Sequence, residues 1–130
     1  TSGSMERKVQ NRKLSFGLHL AKRLEDTQIE CNDALKIIQS RDCEEAFHFV
    51  DPPYFNSHCG HYAGYTEEDF KELLSVLSVV KGKFMLCSYD SPVLESFVAQ
   101  NGWKQVKKEM HVAADKAKKK MKIEVMTMNY

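Results

Sequence analysis

The residues best able to do chemistry are Asp51-Pro52-Pro53-Tyr54, which follow the mostly apolar run Ala46-Phe47-His48-Phe49-Val50. The run is predicted to be a strand buried on both faces. Two prolines remove two backbone donors and fix two φ angles, so the ladder must end at this point. Reactive groups in open α/β sheets collect beyond the carboxyl ends of strands. This edge would present a carboxylate, a rigid pair of carbonyls and an aromatic ring. The residue before each proline is held extended, so the Asp51 and Pro52 carbonyls point in fixed directions.

Such a set suits the exocyclic amino group of a base. That nitrogen is a poor nucleophile because its lone pair is delocalised into the ring. Two acceptors, the Asp51 carboxylate and the Pro52 carbonyl, would draw the lone pair out of conjugation. They would also stabilise positive charge as the nitrogen takes a methyl group. Tyr54 would stack on the ring, an interaction worth about 1–3 kcal/mol per base. That offsets part of the few kcal/mol spent in flipping a base from a duplex. An ordinary strand-ending turn is the alternative reading of the four residues.

Other groups carry weaker signals. His58-Cys59-x-His61 offers three donors at close spacing with no obvious fourth, which fits a polar loop better than zinc. Tyr62 and Tyr65, in the same loop, could line a base pocket or anchor the loop to the sheet. Ser88-Tyr89-Asp90-Ser91 ends another strand at the same sheet edge, where capping by Ser91 competes with a pocket-wall role. Lys116, Lys118, Lys119, Lys120 and Lys122 form the one basic cluster, either a solvated turn or a contact for DNA phosphates. Met110, Met121, Met126 and Met128 read as core and edge packing.

The elements that must position these groups alternate. Leu14, Leu18, Ala21 and Leu24 recur at helical spacing and predict a helix over 7–26, weakened at Gly17. A short strand is predicted over 28–31. Asn32 or Asp33 caps a second helix carrying Leu35, Ile37 and Ile38. Beyond the loop at 55–65, Thr66 caps a third helix, with Asp69 completing a weaker capping box. Its apolar stripe is Phe70, Leu73, Leu74, Leu77 and Val80. A strand over 83–88 follows. Ser91-Pro92 opens a fourth helix, with Val93, Leu94, Phe97 and Val98 inside and Gly102 after its end. Strands over 103–112 and 122–129 close the chain as an antiparallel pair. The alternation predicts an α/β fold with a mostly parallel sheet and covering helices.

Composition narrows the class. The 130 residues are one domain's worth of chain, and 42% are hydrophobic, enough for a real core. With 19 Lys+Arg against 18 Asp+Glu, the net charge of +1 argues against a polybasic nucleic-acid coat. No apolar run approaches the roughly 18 residues of a membrane-spanning helix. Cys31, Cys43, Cys59 and Cys87 form no C-x-x-C pair and read as free thiols in a reducing cytoplasm. No secretory leader is apparent, and Thr1-Ser2-Gly3-Ser4 reads as an expression scar ahead of Met5.

Val50-Asp51-Pro52-Pro53-Tyr54 resembles the catalytic motif of the N6-adenine DNA methyltransferases, specifically the Dam-like group. The flanks share the resemblance: Ile29-Glu30-Cys31-Asn32-Asp33 ahead of the motif, then Gly64-Tyr65-Thr66 and Asp69-Phe70. The strand Lys83-Phe84-Met85-Leu86-Cys87-Ser88-Tyr89 and the final Glu124-Val125 strand ending in Asn129-Tyr130 complete it. The resemblance spans nearly the whole chain from about Arg7. It implies a Rossmann-like methyltransferase sheet and methyl transfer from S-adenosylmethionine to adenine in DNA. It places Asp51, Pro52, Pro53 and Tyr54 at the catalytic centre and Asp33, Ala34 and Asp51 beside the cofactor. Tyr54, Tyr62, Tyr65, Lys118, Lys119 and Lys120 become candidates for binding the DNA substrate. No metal is implied.

The departures from that group are specific. Its Phe-x-Gly-x-Gly segment, which holds the cofactor, has no counterpart, because no Gly-x-Gly occurs in the chain. The ribose-binding acid and the inserted target-recognition domain are also missing. Residues 5–130 therefore resemble the C-terminal part of such an enzyme, with its first two strands lacking. Implied partners are DNA and an N-terminal methyltransferase fragment or a second copy of the chain. Alone, the chain is expected to be inactive. A related RNA or protein amino-group methyltransferase, or a non-catalytic remnant or partner subunit, are the alternatives.

Overall fold

A computed structural model describes residues 17–56, 64–111 and 121–130. The chain divides into two units, residues 1–32 and 33–130. In the first, helix α1 spans Leu18–Arg23 with Gly17 as an N-cap that has no side chain to offer, and none of its residues is buried. Six residues without a capping side chain or a packed face make a marginal helix. The leucines expected to face a core do not: Leu18 is 85% exposed, and Leu24 is also exposed. The predicted strand over 28–31 does not form. Its one large apolar side chain, Ile29, is exposed, and polar Gln28 and Glu30 bond to each other through their side chains. Nothing there rewards extended pairing. Residues 7–16 of the predicted helix lie outside the described residues.

The second unit holds helix α2 (Ala34–Arg41), strand β1 (Phe47–Val50), helix α3 (Glu67–Leu77), strand β2 (Lys83–Tyr89), helix α4 (Pro92–Asn101), strand β3 (Lys104–His111) and strand β4 (Met121–Met128). Each helix begins where a side chain satisfies its orphan N–H groups. Asp33 accepts from the Lys36 N–H, and Ser91 accepts from the Leu94 N–H ahead of Pro92. Thr66 and Asp69 form a full reciprocal capping box. Gly102 ends α4 at φ 66°, in the left-handed region where a Cβ is penalised.

The sheet order is β1-β2-β4-β3. β1 and β2 run parallel, while β4 pairs antiparallel with both β2 and β3. The sheet is therefore mixed. Three strands share one direction, but only the β1–β2 pair is a parallel ladder, because the returning strand β4 wedges between β2 and β3. The antiparallel pair expected at the end of the chain is present.

One face of the sheet is packed. Phe84 and Leu86 of β2 and Val125 of β4 join Ile38 of α2, Phe70, Leu73, Leu74 and Leu77 of α3, Leu94 of α4, and Trp103 in one buried cluster. Trp103 meets Phe84 edge-on with centroids 4.9 Å apart. The apolar stripes read for α3 and α4 are the ones that pack. The other face differs. β1 was expected to be buried on both sides, but Phe47 and Phe49 are 53% and 64% exposed. Among the described residues β1 has one neighbour, β2, so it is an edge strand with one open face. Met126 is exposed on that same face instead of lying in the core, and Met128 is half-buried there.

The amino ends of β1 and β2 are tied tightly. The Asp42 carboxylate accepts from the Lys81 N–H at 2.8 Å and the Gly82 N–H at 3.0 Å, and lies 3.1 Å from His48 Nε2. A Cβ on Gly82 would stand 2.6 Å from the Ala46 carbonyl oxygen, so only glycine fits there. Asn129, just past β4, imitates a strand. Its Oδ1 accepts from the Phe84 N–H and its Nδ2 donates to the Gly82 carbonyl.

Candidate active site

Asp51-Pro52-Pro53-Tyr54 leaves β1 at the carboxyl end of the β1–β2 pair, as the strand-breaking prolines dictate. Asp51 is exposed, while both prolines and Tyr54 are half-buried. The Tyr54 ring meets Tyr89, the last residue of β2, edge-on at 4.5 Å and 72°. Its hydroxyl lies 3.4 Å from Glu124 Oε1 and 3.5 Å from Asp51 Oδ1. A phenol has one hydrogen to donate, so these two carboxylates share it. Glu124 stands beside Tyr89 because β4 pairs with β2 in that register.

The electrostatics of this corner are acidic. Burial first, then the charges of Asp51 and Glu124, hold the Tyr54 hydroxyl far above the ordinary phenol range. Tyr54 is a neutral phenol at any physiological pH. Burial pushes the Cys87 thiol up as well, reinforced by the same two carboxylates. Cys87 is therefore a protonated, weakly reactive thiol.

Behind the corner lie polar atoms with incomplete partners. Ser88 Oγ and Asp90 Oδ1 are buried without a hydrogen-bond partner among the described residues. The other Asp90 oxygen accepts from Lys107 Nζ at 3.2 Å, and Lys107 also reaches Glu95 at 2.7 Å. The Asp90 N–H donates to the Ile123 carbonyl and its own carbonyl accepts from Asn56 Nδ2, which ties the loop after Tyr54 to the end of β2.

The structure brings Asp51, Pro52, Pro53 and Tyr54 to one sheet end together with Tyr89 and Glu124. The remaining sequence-predicted residues fall elsewhere or outside view. Asp33 caps α2 through the Lys36 N–H, and Ala34, the first residue of α2, is exposed. Tyr65 packs against the core, where burial and then the neighbouring Asp69 push its hydroxyl up to about 12. Tyr65 is a loop anchor here. Tyr62, Lys118, Lys119 and Lys120 lie outside the described residues, as do His58, Cys59 and His61. The flanks of the lysine cluster, His111 and Met121, pair with each other at the same sheet end as Asp51. No group of three potential metal ligands occurs among the described residues. Cys31, Cys43 and Cys87 are free. No described helix is long and apolar enough to cross a membrane.

Sequence reading did not assign a role to Glu124. Its signal was available in part, since Glu124 is the one acid in the strand Met121–Met128, where Ile123, Val125, Met126 and Met128 are apolar. Its partner was not, because the register between β4 and β2 is set by a non-local pairing.

Asp33, which the resemblance places beside S-adenosylmethionine, uses Oδ1 to cap α2 through the Lys36 N–H. The glycine crowded by backbone, Gly82, sits at the opposite end of the strands from Asp51. No family model, curated protein or solved structure matches the chain.

Proposed function

We propose that this chain is the C-terminal part of an N6-adenine DNA methyltransferase. It supplies the groups that hold and activate the target amino nitrogen, and another polypeptide segment supplies the methyl donor's site. The observation that carries the reading is the corner at the carboxyl end of β1, where the exposed Asp51 carboxylate stands beside a braced tyrosine.

In this reading the adenine amino group donates its two hydrogens to the Asp51 carboxylate and the Pro52 carbonyl. The Pro52 carbonyl is held in one direction by Pro53 before the base arrives, so it reorganises little as charge develops on the nitrogen. The negative charge of Asp51 stabilises the positive charge that the nitrogen gains. Tyr54 offers a ring for the base to lie against, and its own ring is held by Tyr89. Its hydroxyl, kept protonated, adds no charge to compete with Asp51.

A second reading is favoured by one observation. No Gly-x-Gly occurs in the chain, and Asp33 is already accounted for as a helix cap, which suits a non-catalytic partner subunit. The test is to incubate the chain, with and without an N-terminal methyltransferase portion carrying Phe-x-Gly-x-Gly, with labelled S-adenosylmethionine and DNA, RNA or peptide. Digestion and nucleoside analysis should yield N6-methyladenine from DNA in the combined sample alone. Label in RNA or peptide instead would identify a related amino-group methyltransferase. No label in any sample would favour the non-catalytic subunit.

A further inference from the structure

We infer that Glu124 is a positioning residue of this corner: it takes the Tyr54 phenol hydrogen and so leaves the Asp51 carboxylate open to an incoming amino group. The placement of the hydrogen rests on the structure, whereas its consequence for methyl transfer rests on the proposed function.

The corner holds two carboxylates and one hydroxyl. A carboxylate oxygen that accepts from a neighbouring hydroxyl has less charge to offer an amino group. Tyr54 is such a neighbour of Asp51, with its hydroxyl 3.5 Å from Oδ1. Ionisation does not remove that hydrogen, because burial and then the charges of Asp51 and Glu124 keep the phenol protonated. Glu124 Oε1 lies 3.4 Å from the same hydroxyl. A turn of the hydroxyl about its C–O bond moves the hydrogen from one acceptor to the other and leaves the ring in place.

The sharing is unequal. Glu124 is half-buried, whereas Asp51 is exposed. Water competes for an exposed carboxylate, and the lower dielectric of a half-buried position strengthens a hydrogen bond. Glu124 is also the better fixed of the two. It lies inside β4, in register with Tyr89 of β2 and Lys108 of β3, while Asp51 lies past the last residue of β1. The Tyr54 ring rests edge-on against Tyr89, so its ring and its hydroxyl are braced by two residues that stand side by side in the sheet. A carboxylate at this position only accepts, so Glu124 brings no donor of its own to Asp51.

The experiment has two arms. The first uses the chain alone with tyrosine isotopically labelled at Cζ, whose NMR shift reports hydrogen bonding of the phenol. The Tyr54 signal is the one missing from Tyr54→Phe. Glu124→Ala should move it more than Asp51→Ala does, and the reverse order would overturn the inference. The second arm measures methyl transfer by the chain combined with the Phe-x-Gly-x-Gly portion. Glu124→Ala should lower kcat about tenfold, the scale of one hydrogen bond to a charged group, and leave KM for DNA nearly unchanged. Glu124→Gln keeps an acceptor oxygen and should retain most of the rate. In Tyr54→Phe, which has no phenol hydrogen to misplace, adding Glu124→Ala should cost nothing further. If Glu124→Ala lowers the urea midpoint, Glu124→Leu takes its place in both arms. An unchanged kcat would overturn the inference. So would a loss that persists in Tyr54→Phe, which would make Glu124 a cross-strand partner of Lys108 instead. A combined sample that transfers no methyl group, with the Tyr54 signal still governed by Glu124, overturns the proposed function and leaves the placement of the hydrogen standing.

Discussion

The two ends of the β1–β2 pair treat their polar groups in opposite ways. At the amino end the partners are complete. Asp42 takes two backbone N–H groups, with His48 beside it, and Asn129 satisfies both a donor and an acceptor of the β2 region. At the carboxyl end, Asp51 is exposed, two prolines contribute no donors, and oxygens of Ser88 and Asp90 are buried with no partner among the described residues. An unpaired buried polar atom costs about 1–3 kcal/mol. One end thus holds the strands together, and the other carries that cost beside groups able to do chemistry. Functional sites are where such local violations are expected to collect.

Substitutions at the two ends should separate stability from activity. The largest expected effect is on activity. In the combined enzyme, Asp51→Ala should lower methyl transfer by about 10²–10³-fold, the loss typical of removing one preorganised partner of a charged transition state. Its denaturation midpoint should stay near wild type, since an exposed side chain with few contacts is removed. Activity assays and urea titrations on the same samples check both halves.

Gly82→Ala should do the reverse. Its Cβ would strike the backbone of 43–46, which cannot rotate away as a side chain can. Overpacking of this kind costs about 1–3 kcal/mol. Chemical denaturation of the chain alone should show it, with the midpoint shifted down.

The amino end also sets an acid response. Hydrogen bonds from the Lys81 and Gly82 N–H groups hold the Asp42 carboxyl below the ordinary carboxylate range. Thr66 does the same for Asp69. A depressed folded-state pKa gives stability that is complete above the unfolded value, near 4, and lost as pH falls through the folded value. Asp42→Asn should therefore be destabilising at pH 7 and much less so at pH 3, read as a flatter acid limb in denaturant midpoints.

Tyr54 gives the smallest and most discriminating effect. Tyr54→Phe keeps the ring and the edge contact with Tyr89 and should change methyl transfer only a few-fold. Tyr54→Ala should weaken target binding by the 1–3 kcal/mol of one stacked base, about 5–150-fold. If Tyr54→Ala leaves the combined enzyme unharmed, the residue is only a strand-ending aromatic.

Local features were legible in the sequence. The caps at Asp33, Thr66 and Ser91, the helical stripes of α3 and α4 and the stop at Pro52-Pro53 each follow from a short-range rule. Features that depend on distant partners were not. Phe47-His48-Phe49-Val50 reads as apolar on both sides, and whether its outer face is covered depends on chain distant from it in sequence. Gln28–Cys31 reads as extended, but a strand needs a ladder, and none is offered among the described residues. The Asn129 clamp leaves no periodic trace, since a side chain there replaces a backbone group. At the site, Asp51 and Tyr54 were visible as residue types, whereas Glu124 entered only through the β2–β4 register.

The most direct measurement is incorporation of tritiated methyl groups into mixed-sequence DNA by three samples: the chain alone, the chain with the N-terminal portion, and that pair carrying Asp51→Ala. The expected result is no incorporation by the first, robust incorporation by the second and near-complete loss in the third. Incorporation that is equal with and without the Asp51 carboxylate, or none in the assembled pair, would contradict the assignment of the β1 carboxyl end as the reacting site.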